Sequence, residues 1–244
     1  MANRSSNTTT TLGLKDGLLA AFPVVIGYFP VAMAFGLLAR NTHVSLADTA
    51  LFSLVVFAGA SQFMALELVS AGVSAGSVIL ATFLLNSRHM LMSASLSPRL
   101  NGIKRRWLAV LAFGVTDESF TVASLTAGRL SVPFMLALQL LPYLAWSAGT
   151  VTGFLLGTVL PAAVQSSLGI GLYALFTALL VPEIRRSLNA LFLAGLAGML
   201  YLAVRRFELL PAGWSLIAAV LAASAAGLVL LNDDESARSG GPGE

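Results

Sequence analysis

Arg88 and His89 lie in the middle of one long apolar stretch, and two adjacent carboxylates, Asp117 and Glu118, lie in the middle of the next. No other ionisable residue falls within nine positions of either pair. A charge at the centre of a membrane helix costs about 2.5–3.5 kcal/mol on insertion scales, so it persists where it has a partner, a water-filled cavity or a task. Two kinds of chemistry are open to this set. Arg88 can pair with Asp117 or Glu118, and the acid left over, or His89, can carry a proton.

The spacing adds detail. Asn86, His89, Ser93 and Ser97 form one polar stripe along a helix, with Arg88 turned about 100° from His89. Gly114, Asp117, Thr121, Ser124 and Gly128 share a face whose small residues permit close helix approach. The preceding stretch carries Ser61, Gln62 and Phe63 near its centre, and Gln62 brings two donors and an acceptor. Glu67 lies about a turn and a half further on, within reach of an interface. Three consecutive helices thus carry polar side chains at one depth. Such groups can act purely as glue between helices, but so many at one level favour a site for a solute or proton. Their mixed sign points to an occluded site rather than the like-charge ring of a channel.

The elements that must position these residues follow from composition. Hydrophobic residues make up 57% of the 244 positions and charged residues 10%, against about 25% charged in soluble domains, so most of this chain sits in lipid. Apolar runs long enough to cross a bilayer lie near 14–38, 48–71, 75–97, 107–128, 133–160, 165–182, 187–204 and 210–231. Their continuous character makes them helices. The expected fold is an all-α polytopic bundle of seven or eight spans over 12–231, between disordered tails at 1–11 and 232–244. The run Arg99–Arg106 is the strongest cytoplasmic loop, yet strict alternation of eight spans divides Lys and Arg almost evenly. One segment is then re-entrant or the count is off by one, and orientation stays open. Pro23 and Pro30 around Gly27, and Pro142 near Gly149, Gly153 and Gly157, suggest broken first and fifth helices. Proline and glycine are also simply common in membrane helices. Phe35-Gly36-Leu37-Leu38 and Gly153-Phe154-Leu155-Leu156 hint at an internal repeat. Trp107, Trp146 and Trp214 read as interfacial or packing aromatics.

The absence of cysteine excludes disulfides and thiol chemistry. With two histidines and no H-E-x-x-H pattern, no metal or other cofactor is expected. An intramembrane serine hydrolase built on Ser61 and His89 is a remote alternative, because Gln62 and Phe63 follow the serine where a nucleophile elbow needs a small residue.

The segments Phe22-Pro23-Val24-Val25-Ile26-Gly27-Tyr28-Phe29-Pro30 through Phe35-Gly36, Phe57-Ala58-Gly59-Ala60-Ser61-Gln62-Phe63, Asn86-Ser87-Arg88-His89 and Thr116-Asp117-Glu118 together resemble the AzlC family of branched-chain amino acid permeases. The resemblance spans roughly 12–205. It implies a multi-pass exporter in a bacterial inner membrane that is not an enzyme, driven by protons, with a small AzlD-type membrane subunit as partner. On this reading Arg88, or backbone amides beside Gly27 and Pro30, hold the carboxylate of a hydrophobic amino acid. Asp117 or Glu118 holds its ammonium, and Phe35 and Phe63 line the side-chain pocket.

Overall fold

The computed structural model describes residues 11–161 and 187–207 without interruption, together with short stretches as far as residue 227. Among the described residues the regular structure is helical, apart from one bridge between Thr11 and Arg129. Two compact units divide the chain, Met1–Leu66 with Leu85–Leu172, and Glu67–Leu84 with Tyr173–Glu244. Of the expected tails only Thr11 is described, and much of the runs near 165–182 and 210–231 lies outside the described residues.

The first unit is organised by two long helices, α1 (Leu14–Asn41) and α7 (Val132–Leu156). Both are unbroken, contrary to the reading of their prolines. Pro23 and Pro30 are exposed on the outer side of α1, where each ring costs the helix one hydrogen bond without opening it. Glycines let the two backbones touch: Gly17 meets Phe134, the Phe29 carbonyl lies 2.6 Å from where a Cβ of Gly149 would be, Gly153 meets Met33 and Gly157 meets Leu37. Residue numbers rise together along this seam, so α1 and α7 run parallel. Gly36 and Gly153 therefore mark a contact between α1 and α7, and the repeat hinted at by their similar sequences has this packing role.

Between them the chain does something the apolar runs did not reveal. The run near 48–71 is two pieces, α2 (Leu46–Leu51) continued by a π-helical turn (Phe52–Val56), and α3 (Gly59–Ser70). They are separated at Phe57, whose φ of 36° is left-handed. Phe52 and Phe63 both pack on Phe35, with ring centroids 6.3 and 5.4 Å away, and Gln62 Nε2 donates to Ser53 Oγ at 3.1 Å. In a straight helix residues 52 and 63 would stand about 16 Å apart. The segment is a hairpin with its tip at Phe57-Ala58.

The run near 107–128 repeats the device as α5 (Arg105–Phe113) and α6 (Asp117–Leu125). Gly114 ends α5 where a Cβ would lie 2.7 Å from Gln139 Oε1. Thr116 then caps α6 in a reciprocal box with Ser119, the Ser119 amide donating to Thr116 Oγ1 and the Thr116 amide to Ser119 Oγ. The outer ends of both pieces lie together. Arg99, in the 3-10 turn Ser97–Leu100, donates to the carbonyls of Ala123, Ser124, Thr126 and Gly128, and Arg129 donates to the Asn101 carbonyl. Nine residues rise about 13 Å, less than half a bilayer of about 30 Å.

The helix α4 (Ala75–Leu96) leads into the second hairpin. Its C-terminal end packs Leu96, followed by Leu100, into a core with Ala21, Leu130 and Phe134, at the end of the unit where α1 begins. Thus α1 runs away from that end and is followed by a hairpin entering from the far side, while α4 runs toward it and is followed by a hairpin entering from the near side. The second pair is the first turned over. At the far end Arg40 closes the C-termini of α1 and α7, donating to the Phe154 and Leu155 carbonyls at 2.9 and 3.1 Å.

Two of the expected spans are therefore hairpins. Among the described residues three helices are long and apolar enough to cross a membrane: α1, α7 with its 3-10 extension to Val159, and α8 (Leu188–Arg206). In the second unit α8 starts on a Ser187 cap that accepts from the Ala190 amide, ends on Arg205 and Arg206, and buries none of its residues.

Candidate functional site

The two tips reach the same level of α1. Tyr28, in its middle, packs edge-on to Phe57 of the first tip at 6.2 Å, and its hydroxyl lies 2.9 Å from Thr116 Oγ1 of the second. It also donates to Glu118 Oε2. On the opposite wall Trp146 of α7 stands edge-on to Tyr28 at 5.3 Å, and its indole occupies the space left by the missing side chain of Gly59.

Arg88 meets Asp117, not Glu118, with Nη2 2.9 Å from Oδ2. The pair forms across α4 and α6, which run the same way, because α5 intervenes as the antiparallel neighbour. Asp117 and Glu118 occupy the first turn of α6, where the partial positive charge of the helix N-terminus favours carboxylates. Arg88 is taken by Asp117, so Glu118 faces Tyr28 with no cationic side chain paired to it among the described residues. His89 lies within electrostatic reach of Arg88 and Asp117. Asn86 Oδ1 and Arg88 Nε are buried without a partner.

A second polar group lies within the first hairpin. Ser53 Oγ is 2.7 Å from Thr150 Oγ1 and accepts from Gln62, whose Oε1 is buried and unpartnered. The Ser61 hydroxyl donates to the Ala58 carbonyl of its own chain turn at 2.9 Å, so it is not poised against His89 as a nucleophile would be.

Several sequence-based expectations shift position. Gly27 and Pro30 are exposed on an intact helix, so the broken-helix amides lie at the two tips instead. Phe35 and Phe63 are both buried, and the Phe35 ring packs edge-on to Phe63 and to Phe52. A cavity of about 190 Å³ lies instead between the tips and α7, walled by Phe57, Val110, Phe113, Leu136, Leu140 and Tyr143, with Gly114 and Gln139. The stripe from Gly114 to Gly128 does not exist as one face, because the chain reverses at 114–116 and Gly128 sits in a turn with φ of 103°. Ser93 and Ser97 leave the ionic cluster and line a separate cavity of about 150 Å³ toward the near end. Glu67 is exposed.

The residues that sequence reasoning missed are Tyr28, Phe57, Thr116, Tyr143 and Trp146. For Thr116 a signal was present: Gly114, then Thr116, two acids and Ser119 is a helix stop followed by a capped helix start. Tyr28 and Trp146 carry no local signal, since aromatic residues in an apolar run read equally well as packing.

Comparison with known proteins places the chain in a family. The family model described as AzlC protein matches residues 23–160, more than half of the chain and both hairpins. Inner membrane protein YgaZ of Escherichia coli K12 is 35% identical over 77% of this chain and 78% of its own length. An uncharacterized membrane protein of Archaeoglobus fulgidus is 39% identical over 70% of this chain and 76% of its own. The branched-chain amino acid transport protein AzlC of Bacillus subtilis is 27% identical over 56% and 54%. No solved structure matches. The chain is a membrane protein, and it belongs to the AzlC family.

Proposed function

We propose that this protein is a multi-pass inner-membrane transporter that exports branched-chain and similar hydrophobic amino acids in exchange for protons. The observation that carries the reading is a carboxylate, Glu118, held by Tyr28 where two half-helix hairpins from opposite sides meet, while its neighbour Asp117 is neutralised by Arg88. A site with one uncompensated negative charge takes up an ammonium group or a proton, and either one excludes the other. That exclusion is the elementary requirement for exchange. The adjoining apolar cavity suits an aliphatic side chain. The name of the Bacillus subtilis relative supports the substrate class, and that of the Escherichia coli relative supports the inner membrane.

Charge supports an orientation. The near end of the first unit carries Lys15, Arg99, Lys104, Arg105, Arg106 and Arg129, against Arg40 at the far end. Folding the two runs back as hairpins removes the even division that strict alternation gave. The near end then faces the cytoplasm. A small AzlD-type subunit completes the transporter in this reading.

The test is counterflow of labelled leucine, isoleucine and valine in proteoliposomes across an imposed pH gradient, with and without the small subunit. Glu118→Gln keeps the shape and removes the charge. Its expected effect is a loss of roughly 10- to 100-fold, the worth of a charge-assisted hydrogen bond of about 1.5–3 kcal/mol. Wild-type rates in that variant, or exchange indifferent to the pH gradient, contradict the proposal.

A further inference from the structure

The helices that lead into the two hairpins differ at corresponding places. Phe35 on α1 and Ser93 on α4 each stand 24 positions before the residue that begins the inner half-helix, Gly59 in one case and Asp117 in the other. At the far-end place the Phe35 ring is 0% exposed and edge-on to Phe52 and Phe63. Ser53 and Gln62, each one residue nearer the tip than those rings, are 0% exposed as well. At the near-end place a serine stands in the cavity of about 150 Å³.

This cavity lies between α4, α5 and α7. Leu111 and Met135 at its back are buried, and Val115 belongs to the second tip, beside Thr116. Ser97 and Ala112 on its rim are exposed. It therefore reaches from the surface of the near end to the level of the tip. Hydroxyls in helices ordinarily bond back to a carbonyl of the preceding turn, as those of Thr82, Thr121 and Thr126 do. Ser93 and Ser97 have no hydrogen-bond partner among the described residues. One and two turns deeper on the same face of α4 come His89, within electrostatic reach of Arg88 and Asp117, and Asn86, whose Oδ1 is buried without a partner. A polar group left unmade away from water costs about 1–3 kcal/mol. Hydrocarbon cannot satisfy this row of groups, whereas water can, and a space of this size admits several molecules of it.

We infer that the face of α4 carrying Ser97, Ser93, His89 and Asn86 is an aqueous entrance from the near end to the Arg88–Asp117 pair, and that Phe35 seals the corresponding entrance from the far end. The conformation described is then the one in which the site is reached from the near side. For what enters, the inference rests on the transport reading above. The path itself is a matter of water access and can be measured separately.

The experiment uses single cysteines in the full chain, which has none of its own, in sealed vesicles whose near side is identified by Lys104→Cys. Thiols react as thiolates where water reaches them. Without added amino acid, a membrane-impermeant sulfonated methanethiosulfonate is expected to modify Ser93→Cys from the near side and not from the far side. The modified protein should lose leucine counterflow. Ser53→Cys is expected to stay unmodified from both sides, and to become reactive from the far side when combined with Phe35→Ala. Reaction of Ser93→Cys with lipid-soluble N-ethylmaleimide but not with the sulfonate would mean that the cavity opens on acyl chains, which overturns the inference. Reaction from the far side alone overturns it too. Continued silence of Ser53→Cys beside Phe35→Ala removes the seal from Phe35, and the Ser93→Cys result does not depend on that variant. If leucine is carried and Ser93→Cys stays unmodified, the inference fails alone. If Ser93→Cys is modified from the near side and no aliphatic amino acid is carried, the transport reading fails and the entrance stands.

Discussion

The two hairpin tips share a backbone plan and carry opposite chemistry. Each is an apolar segment that stops halfway, reverses over two or three residues and begins a new helix with its N-terminus pointing inward. At the second tip, Thr116 and Ser119 satisfy the first amides and Asp117 and Glu118 fill the first turn, so the positive end of the helix is spent on its own carboxylates. At the first tip, the side chains of Phe57, Ala58, Gly59 and Ala60 carry neither a capping oxygen nor a charge. A helix terminus is therefore not a fixed ligand preference. The first-turn side chains decide whether the site presents donors outward or presents acidic acceptors, and one fold can place both kinds side by side.

The largest expected effect on that contrast comes from Arg88→Ala. It leaves Asp117 without its cation beside Glu118, putting two negative charges at the second tip. Breaking a buried pair costs about 3–5 kcal/mol. Here the two side chains are 37% and 27% exposed, so solvent screening brings the expectation to the low end or below. Thermal unfolding in detergent should show a clear drop, and leucine counterflow should fall to background. Pairing the change with Asp117→Asn should restore most of the stability. Full stability in the single variant would mean that the pair does not hold the tip.

A smaller effect is expected at the cavity the tips share with α7. Leu136→Phe adds volume to a wall of a space of about 190 Å³. It should shift preference from leucine toward valine by about fourfold, the weight of one methylene at about 0.8 kcal/mol, as read from competition of the two amino acids. An unchanged ratio would place the side chain elsewhere.

Much of this was legible in the sequence for a physical reason: lipid tolerates so few charges that each one must have a use. That logic pointed to the Arg88–Asp117 pair, which the structure forms, and to the all-helical class. It could not see the hairpins, because a folded-back segment of about 21 residues has the same length and composition as one that crosses. The prolines of α1 drew attention to the wrong helix. They sit on the outer face, where a missing hydrogen bond costs little, whereas the true breaks fall at Phe57-Ala58, which has no proline or glycine, and at Gly114-Val115-Thr116. Arg99 was read as a topology signal and has a structural task as well, binding the carbonyls at the end of α6. The places of Tyr28 and Trp146 beside the two tips needed three-dimensional neighbours, since nothing in their local sequence separates them from packing aromatics.

The most direct test concerns the reversal at Gly114–Thr116, on which both the site and the orientation depend. The natural chain has no cysteine, so single cysteines report without background. Lys104→Cys and Ala127→Cys lie at exposed positions just outside α5 and α6. Labelled with a membrane-impermeant maleimide in oriented vesicles, both should react from the same side, the cytoplasmic one. Reaction of the two from opposite sides would mean that the segment crosses the bilayer, and the meeting of the tips around Tyr28 could not stand.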